Sequence, residues 1–455
     1  MEDQHPSANN TRDTECKISI TEGEGEGEDH HQYFDGRRIH RVPHLMRFNK
    51  EDYYAPKMVS FGPHYHGLPE LRMAEELKRK VLGDFVPNGC KESFYIRINE
   101  VIDQIRNCYI GVSRDAYNDR TLAEMILLDA SFAIYLMKIS AGDFKKYYHF
   151  CQHLGRALLK FAFQDLCLLD NQIPLWVIKL FTNLIYGNEE KGPMLISEFL
   201  SYYALQSDLP ISITGEDKKQ PLHLVAALHQ LLVKLDSEGE KPSSYCLPNI
   251  NFKFKCRWWP WKKENPYELW LHDPQPRPVT DLKAKGIHFK RSSYDLKNIK
   301  FKSNKFYGEL QLPVWHVDAP SNQLHAQLIA YEALKESNVG MPIICYVNFL
   351  KSLIVKSEDV KELREKKILI NGFDNDEQVV EVIKGINTWG LDDTTNIDDV
   401  RVCIEKHCSS KAKTWIAELI NTYFRSPWTF TALVGANLLL CLTFLQTYYT
   451  MNLPK

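Results

Sequence analysis

The chain has 455 residues, 44% hydrophobic and 25% charged, an ordinary globular balance that can bury a real core in one large or two modest domains. A formal net charge of −2 excludes non-specific nucleic-acid binding as the main task, because that needs a basic surface to replace condensed counterions. The 11 cysteines lie singly between Cys16 and Cys441 with no CxxC pair, a pattern of reduced thiols rather than of a disulfide framework.

Residues 1–34 are polar and acidic and end in GEGEGEDHH, which buries too little apolar surface to offset its ordering entropy; the expectation is a disordered tail. Its alternating glycines follow no strand and are separated by carboxylates, so they do not form a phosphate loop. No apolar stretch precedes Tyr33, hence no secretory signal is expected.

Residues 35–235 read as a helical lobe. Leu71, Ala74, Leu77 and Val81 recur at helical spacing, as do Phe94, Ile98, Val101, Ile102 and Ile105 within 94–110. Segment 121–139 is almost solidly apolar around Asp129. A helix over 154–170 is expected to end at Asp170-Asn171-Gln172-Ile173-Pro174, and another to run from 174 to 186 with Pro174 in its first turn and Asn171 as its cap. Helices apolar over most of their circumference belong in the interior of a large bundle.

Seven prolines between 242 and 278 mark residues 236–280 as a linker or irregular insertion. Residues 281–400 read as a second lobe: GIHFKR, IKFKSN and FYGELQLPVWHVD alternate as short strands do, and helical text resumes from Gln323 through NFLKSLIVKSEDVKELREKK. After an acidic stretch from Asp374 to Asp399, an amphipathic helix (400–424) within a juxtamembrane segment, 401–426, leads to a final apolar segment. The fold class expected is mainly α with a small β element (α+β).

The final segment, 427–449, is expected to be a transmembrane helix. From Trp428 to Tyr449 no side chain is charged, and that length spans a hydrocarbon core of about 30 Å at about 1.5 Å per residue. Leu438, Leu439, Leu440 and six other apolar residues favour insertion by roughly 3–5 kcal/mol together, and Asn437 opposes it. Trp428 at one end and Tyr448 and Tyr449 at the other suit the two headgroup layers. Lys406, Lys411, Lys413 and Arg425 precede the span and Lys455 follows it, which places the bulk of a tail-anchored protein in the cytosol, at the plasma membrane or an endomembrane. A buried core helix is the alternative.

The sequence has no GxSxG, HExxH, phosphate-loop or zinc pattern, so no catalytic residue, cofactor or metal is assigned. Three constellations remain. His64 and His66, in Gly62-Pro63-His64-Tyr65-His66-Gly67, could face a metal, but no third ligand is evident and a hydrogen-bonded turn accounts for them better. Asp165 and Asp170, in apolar text, must be paired, hydrogen-bonded or shifted in pKa; they are expected to cap helix ends and pair with an arginine such as Arg120 or Arg156 rather than to perform acid–base work. In KFKCRWWPWKK, Trp258, Trp259 and Trp261 interleave with cations as in segments that rest on anionic lipid.

Several segments together resemble one plant family, known as domain of unknown function 247, from Ile39 to Thr450. They are Arg41-Val42-Pro43, VSFGPHYHG, MILLDASF, DLCLLDNQIP, LKAKGIHFK with LQLPVWHVD, LIAYEAL, NFLKSLIVKSEDVKELREKKIL and the apolar C-terminal segment, in this order. The resemblance implies a mostly helical domain held at a membrane by its C-terminus, without an established activity or catalytic residues. Similar members in grasses are implicated as male determinants of self-incompatibility, so a recognition or signalling role with an unidentified protein partner is expected; an uncharacterised enzyme using the buried carboxylates Asp165 and Asp170 or the His64/His66 pair is the alternative.

Overall fold

A computed structural model describes residues 38–48, 50–86, 91–204, 220–234, 277–292, 296, 299–304, 306–334, 340–391, 397–410 and 427–452. The acidic tail, most of the proline-rich segment with Trp258, Trp259 and Trp261, and residues 411–426 lie outside the described residues.

Two short helices, α1 (His44–Arg47) and α2 (Glu51–Tyr54), precede a 3-10 turn that runs into α3 (Arg72–Phe85). Then come α4 (Lys91–Glu100), α5 (Ile102–Asn107), α6 (Asp119–Ser140), α7 (Phe144–Leu154), α8 (Arg156–Leu166), α9 (Leu175–Tyr186), α10 (Lys191–Ala204) and α11 (Leu224–Lys234). The longest of these, α6, is the axis of the bundle and packs against α3, α4, α5, α7, α8, α9 and α10. It starts where the Asn118 side chain accepts the Thr121 N–H at 2.8 Å, a cap that satisfies one orphan donor. Most of its residues are buried, as its apolar circumference requires.

The remaining elements are α12 (Val279–Ala284), β1 (Ile287–Arg291), β2 (Lys300–Ser303), β3 (Gly308–Leu312), β4 (Trp315–Val317), α13 (Ala319–Leu334), α14 (Pro342–Leu353), α15 (Ser357–Glu365), β5 (Leu369–Asn371), α16 (Asp376–Gly385), α17 (Asp398–Cys408) and α18 (Pro427–Asn452). One sheet has the order β1-β3-β2: β1 runs parallel to β3 with Ile287 opposite Gly308, and β2 runs antiparallel with Phe301 opposite Leu310. Its alternation puts Ile287, Phe289, Phe301, Leu310 and Leu312 inside. A second sheet pairs β4 and β5 in parallel. α13 packs on α2, α8 and α11, and one continuous hydrophobic cluster runs from Ile39 to Cys408. The protein is mainly helical with a small β component, as its sequence leads one to expect.

Several element boundaries differ from expectation. The helix expected over 154–170 is shorter: α7 ends at Leu154, Gly155 with a φ of +87° that favours glycine separates the two helices, and α8 runs only from Arg156 to Leu166. The 94–110 helix is interrupted at Val101. The acidic stretch 374–399 contains α16, capped by Asn375, whose side chain accepts the Gln378 N–H at 2.8 Å. Cys108, Cys151, Cys167, Cys345, Cys408 and Cys441 take part in no disulfide, whereas Cys403 is disulfide-bonded.

α18 is 26 residues long, and Trp428, Leu438, Leu439, Leu440, Tyr448 and Tyr449 on it are exposed. The side chains of Pro427, Thr429, Phe430, Leu433 and Asn452 lie outside the described set. Counted over the described residues, no helix is long and apolar enough to cross a membrane.

Candidate functional site: a buried polar latch

The fold brings the segments at 41–47, 57–67 and 165–172 together, with Asp129 of α6 beneath them. Residues 57–62 form no strand or helix, so their backbone N–H groups need partners from elsewhere. Asp165, near the end of α8 and fully buried, supplies the first set: its carboxylate accepts the N–H groups of Lys57 at 3.0 Å, Met58 at 2.7 Å and Val59 at 2.9 Å. Asn171 continues the series. Its Oδ1 accepts the Phe61 N–H at 2.7 Å, and its Nδ2 donates to the carbonyls of Val59 at 3.0 Å and Asp165 at 2.9 Å. Asp129 accepts the Gly62 N–H at 2.7 Å.

Asp129 is balanced by Lys78 of α3, whose Nζ lies 2.6 Å from its carboxylate, 2.6 Å from the Ser60 carbonyl and 2.5 Å from Glu75. Lys78 is 0% exposed and Asp129 1%, so the pair is desolvated and depends on its hydrogen bonds. Burial raises the Asp129 carboxyl and Lys78 opposes that rise.

Gln172 ties the loop to its own helix: Nε2 donates to the carbonyls of Leu166 at 2.8 Å and Leu168 at 2.6 Å, while Oε1 accepts the Leu224 N–H at 3.0 Å. Pro174 is the N-cap residue of α9; Asn171 does not cap it, being engaged with residues 59–61.

Asp170 pairs with Arg47, and also accepts from Tyr65 Oη at 3.1 Å and the Val42 N–H at 3.3 Å. Its Oδ1 has no hydrogen-bond partner among the described residues, and burial raises its carboxyl against the pull of Arg47. The same Arg47 donates to Tyr65 Oη at 2.8 Å and to the Val42 carbonyl at 2.7 Å. The expected arginine partners are therefore corrected. Asp170 takes Arg47, Asp165 takes backbone amides, and Arg120 pairs with exposed Glu124 at 3.4 Å.

His64 and His66 do not face one site. His64 Nδ1 is 3.1 Å from the Asp170 carbonyl and Nε2 3.3 Å from that of Ile110, with its ring edge-on to Tyr109. The His66 ring meets Tyr117 instead. Among the described residues no group of three or more possible ligands could hold a metal. The Pro63 carbonyl accepts the Tyr117 hydroxyl at 3.2 Å, and Gly62 sits at φ +74°.

That glycine carries a test. A Cβ at position 62 would lie 2.6 Å from the Gln172 carbonyl oxygen, and the positive φ adds backbone strain. Gly62→Ala should therefore cost at least about 2–3 kcal/mol, read as a lower denaturant midpoint.

A second test uses pH. Burial pushes the Asp165 carboxyl up to about 6, against the lowering effect of its three N–H donors. The folded-state value exceeds the unfolded one, so the folded protein binds the proton more tightly between about pH 4 and 6. The contribution of this group to stability therefore grows as pH falls through that window and is lost as pH rises through it. Relative to Asp165→Asn, the wild type should gain about 2–3 kcal/mol between pH 7.5 and 3.5, measured by denaturant unfolding at each pH.

Other motif residues are used in the same way. Glu332 in LIAYEAL accepts the N–H groups of Ile343 at 3.1 Å and Ile344 at 2.9 Å and meets His229 Nε2 at 2.8 Å. Gln327 accepts the Leu169 N–H at 2.8 Å and donates to the Tyr53 carbonyl at 2.6 Å. Asp359 accepts from Thr280 at 2.8 Å and from Val355 and Lys356, each at 3.1 Å. An open depression between α15 and α16, lined by Glu358, Lys361, Arg364, Asp374 and Asp376 among others, contains none of these groups.

The fold and the latch thus define a helical α+β protein whose recurring polar residues hold its loops in register. The match is to a plant protein family of unknown function, domain of unknown function 247, over residues 39–442, and the chain belongs to that family. It is similar to a putative UPF0481 protein of Arabidopsis thaliana, 23% identical over 90% of this chain and 89% of that one. A second UPF0481 protein of Arabidopsis thaliana is 25% identical over 90% of this chain and 85% of its own. No solved structure matches the chain.

Proposed function

We propose that the protein is a membrane-tethered, non-enzymatic interaction module with a recognition or signalling role, its helical body presented to a protein partner beside the bilayer. The observation that carries this reading is the closed packing of the motif carboxylates. Asp165 and Asp170 are 0% and 1% exposed; both Asp165 oxygens meet backbone amides, and Asp170 Oδ2 meets Arg47, Tyr65 and the Val42 N–H, inside packing that leaves a substrate no open approach. Tethering is read from the sequence of the C-terminal segment, which has no charged side chain from Trp428 to Tyr449 and aromatic residues at both ends. A tether raises the effective concentration of the body toward partners in the same membrane.

Protease protection of sealed microsomes tests a cytosolic body: its digestion without detergent is the expected result, and full protection contradicts it. The tether itself is tested by alkaline carbonate extraction. Retention of the full chain in the pellet, with loss of retention when residues 427–455 are removed, is the expected result; release of the intact chain contradicts it.

A further inference from the structure

α7 carries a histidine pair unlike the one at His64 and His66. His149 and His153 are one helical turn apart, so both lie on one face of the helix. Their ring centroids are 4.4 Å apart with 58° between the planes. Hydrogen bonding fixes both tautomers. The Tyr135 hydroxyl gives its proton to the Lys146 carbonyl at 2.7 Å, so the 3.0 Å contact of the same oxygen with His149 Nδ1 requires that nitrogen to donate. His153 Nδ1 lies 2.9 Å from the His149 carbonyl, which only accepts, so it donates too. Each neutral ring is left with its lone pair at Nε2, and neither Nε2 has a hydrogen-bond partner among the described residues.

Metal-binding histidines are held in this manner, with Nδ1–H fixed by an oxygen and Nε2 left for the ion. Two imidazoles about 2.0–2.1 Å from one tetrahedral zinc place their ring centres about 5 Å apart. The observed centroid separation of 4.4 Å is close to that spacing.

We propose that His149 and His153 form a surface site for a transition-metal dication of the zinc class, completed by water. Because no group of three or more ligands is already converged among the described residues, this is an open two-histidine chelate, weaker than a closed structural zinc centre.

Zinc chloride titrated at pH 7.5 into the purified full-length chain and into His153→Gln tests the site. His153 is exposed and bonds only within its own helix, so the substitution leaves the core untouched. The wild type should bind at least tenfold more tightly than the variant. In the wild type alone, zinc should also protect His149 and His153 from acylation by diethyl pyrocarbonate, mapped by mass spectrometry, while exposed His40 and His44 stay reactive. Equal affinity of the two chains, or modification of His149 and His153 undiminished by zinc, overturns the proposal.

Discussion

Asp165→Ala should lower stability by about 3–6 kcal/mol, because it strips the acceptor from three N–H groups, of which those of Met58 and Val59 are buried, at about 1–3 kcal/mol each. Relief of the desolvated carboxylate returns part of that, since burial raises its pKa to about 6. Against a total of about 5–15 kcal/mol for an ordinary domain, the loss is large enough to unfold much of the population near physiological temperature. Denaturant unfolding of the purified chain measures it; a loss below about 1 kcal/mol would mean the amides find water instead.

Removing the cation from the centre of the bundle should be comparably costly. Lys78→Met leaves Asp129 charged and buried beneath α3 and the Ser60 carbonyl without its donor, a loss of about 3–5 kcal/mol. The double variant Lys78→Met/Asp129→Asn removes the unpaired charge and keeps an oxygen for the Gly62 N–H, so it should recover about 1–2 kcal/mol of that loss. Thermal unfolding of both variants and the wild type provides the comparison. Additive losses in the double variant would show that the two groups are not coupled.

The sequence displays the helices well where apolar spacing is regular, as in α3, α6 and α9, and the strands where alternation is clean, as in β1 and β3. It conceals what depends on partners distant in the chain. Lys78 reads as one more charge on an amphipathic helix, yet it sits on the buried side of α3 between Leu77 and Val81 and answers the isolated Asp129 of α6, 51 residues away. Asp165 and Asp170 look alike in DLCLLDNQIP, but one meets an arginine 123 residues away and the other only backbone. No local pattern distinguishes those outcomes, because loop amides at 57–62 present donors without any characteristic side chain. Two local signals were available: an aspartate alone in an apolar helix demands a buried cation, and histidines four apart on an amphipathic helix share a face.

The central claim is that residues 57–62 are locked to α6, α8 and the 165–172 loop from within, although they form no regular secondary structure. Native-state amide hydrogen exchange at Met58, Val59, Phe61 and Gly62 measures this directly. The latch predicts protection at these amides approaching that of the α6 interior, lost together in Asp165→Ala. Exchange at rates typical of an exposed loop in the wild type would contradict it.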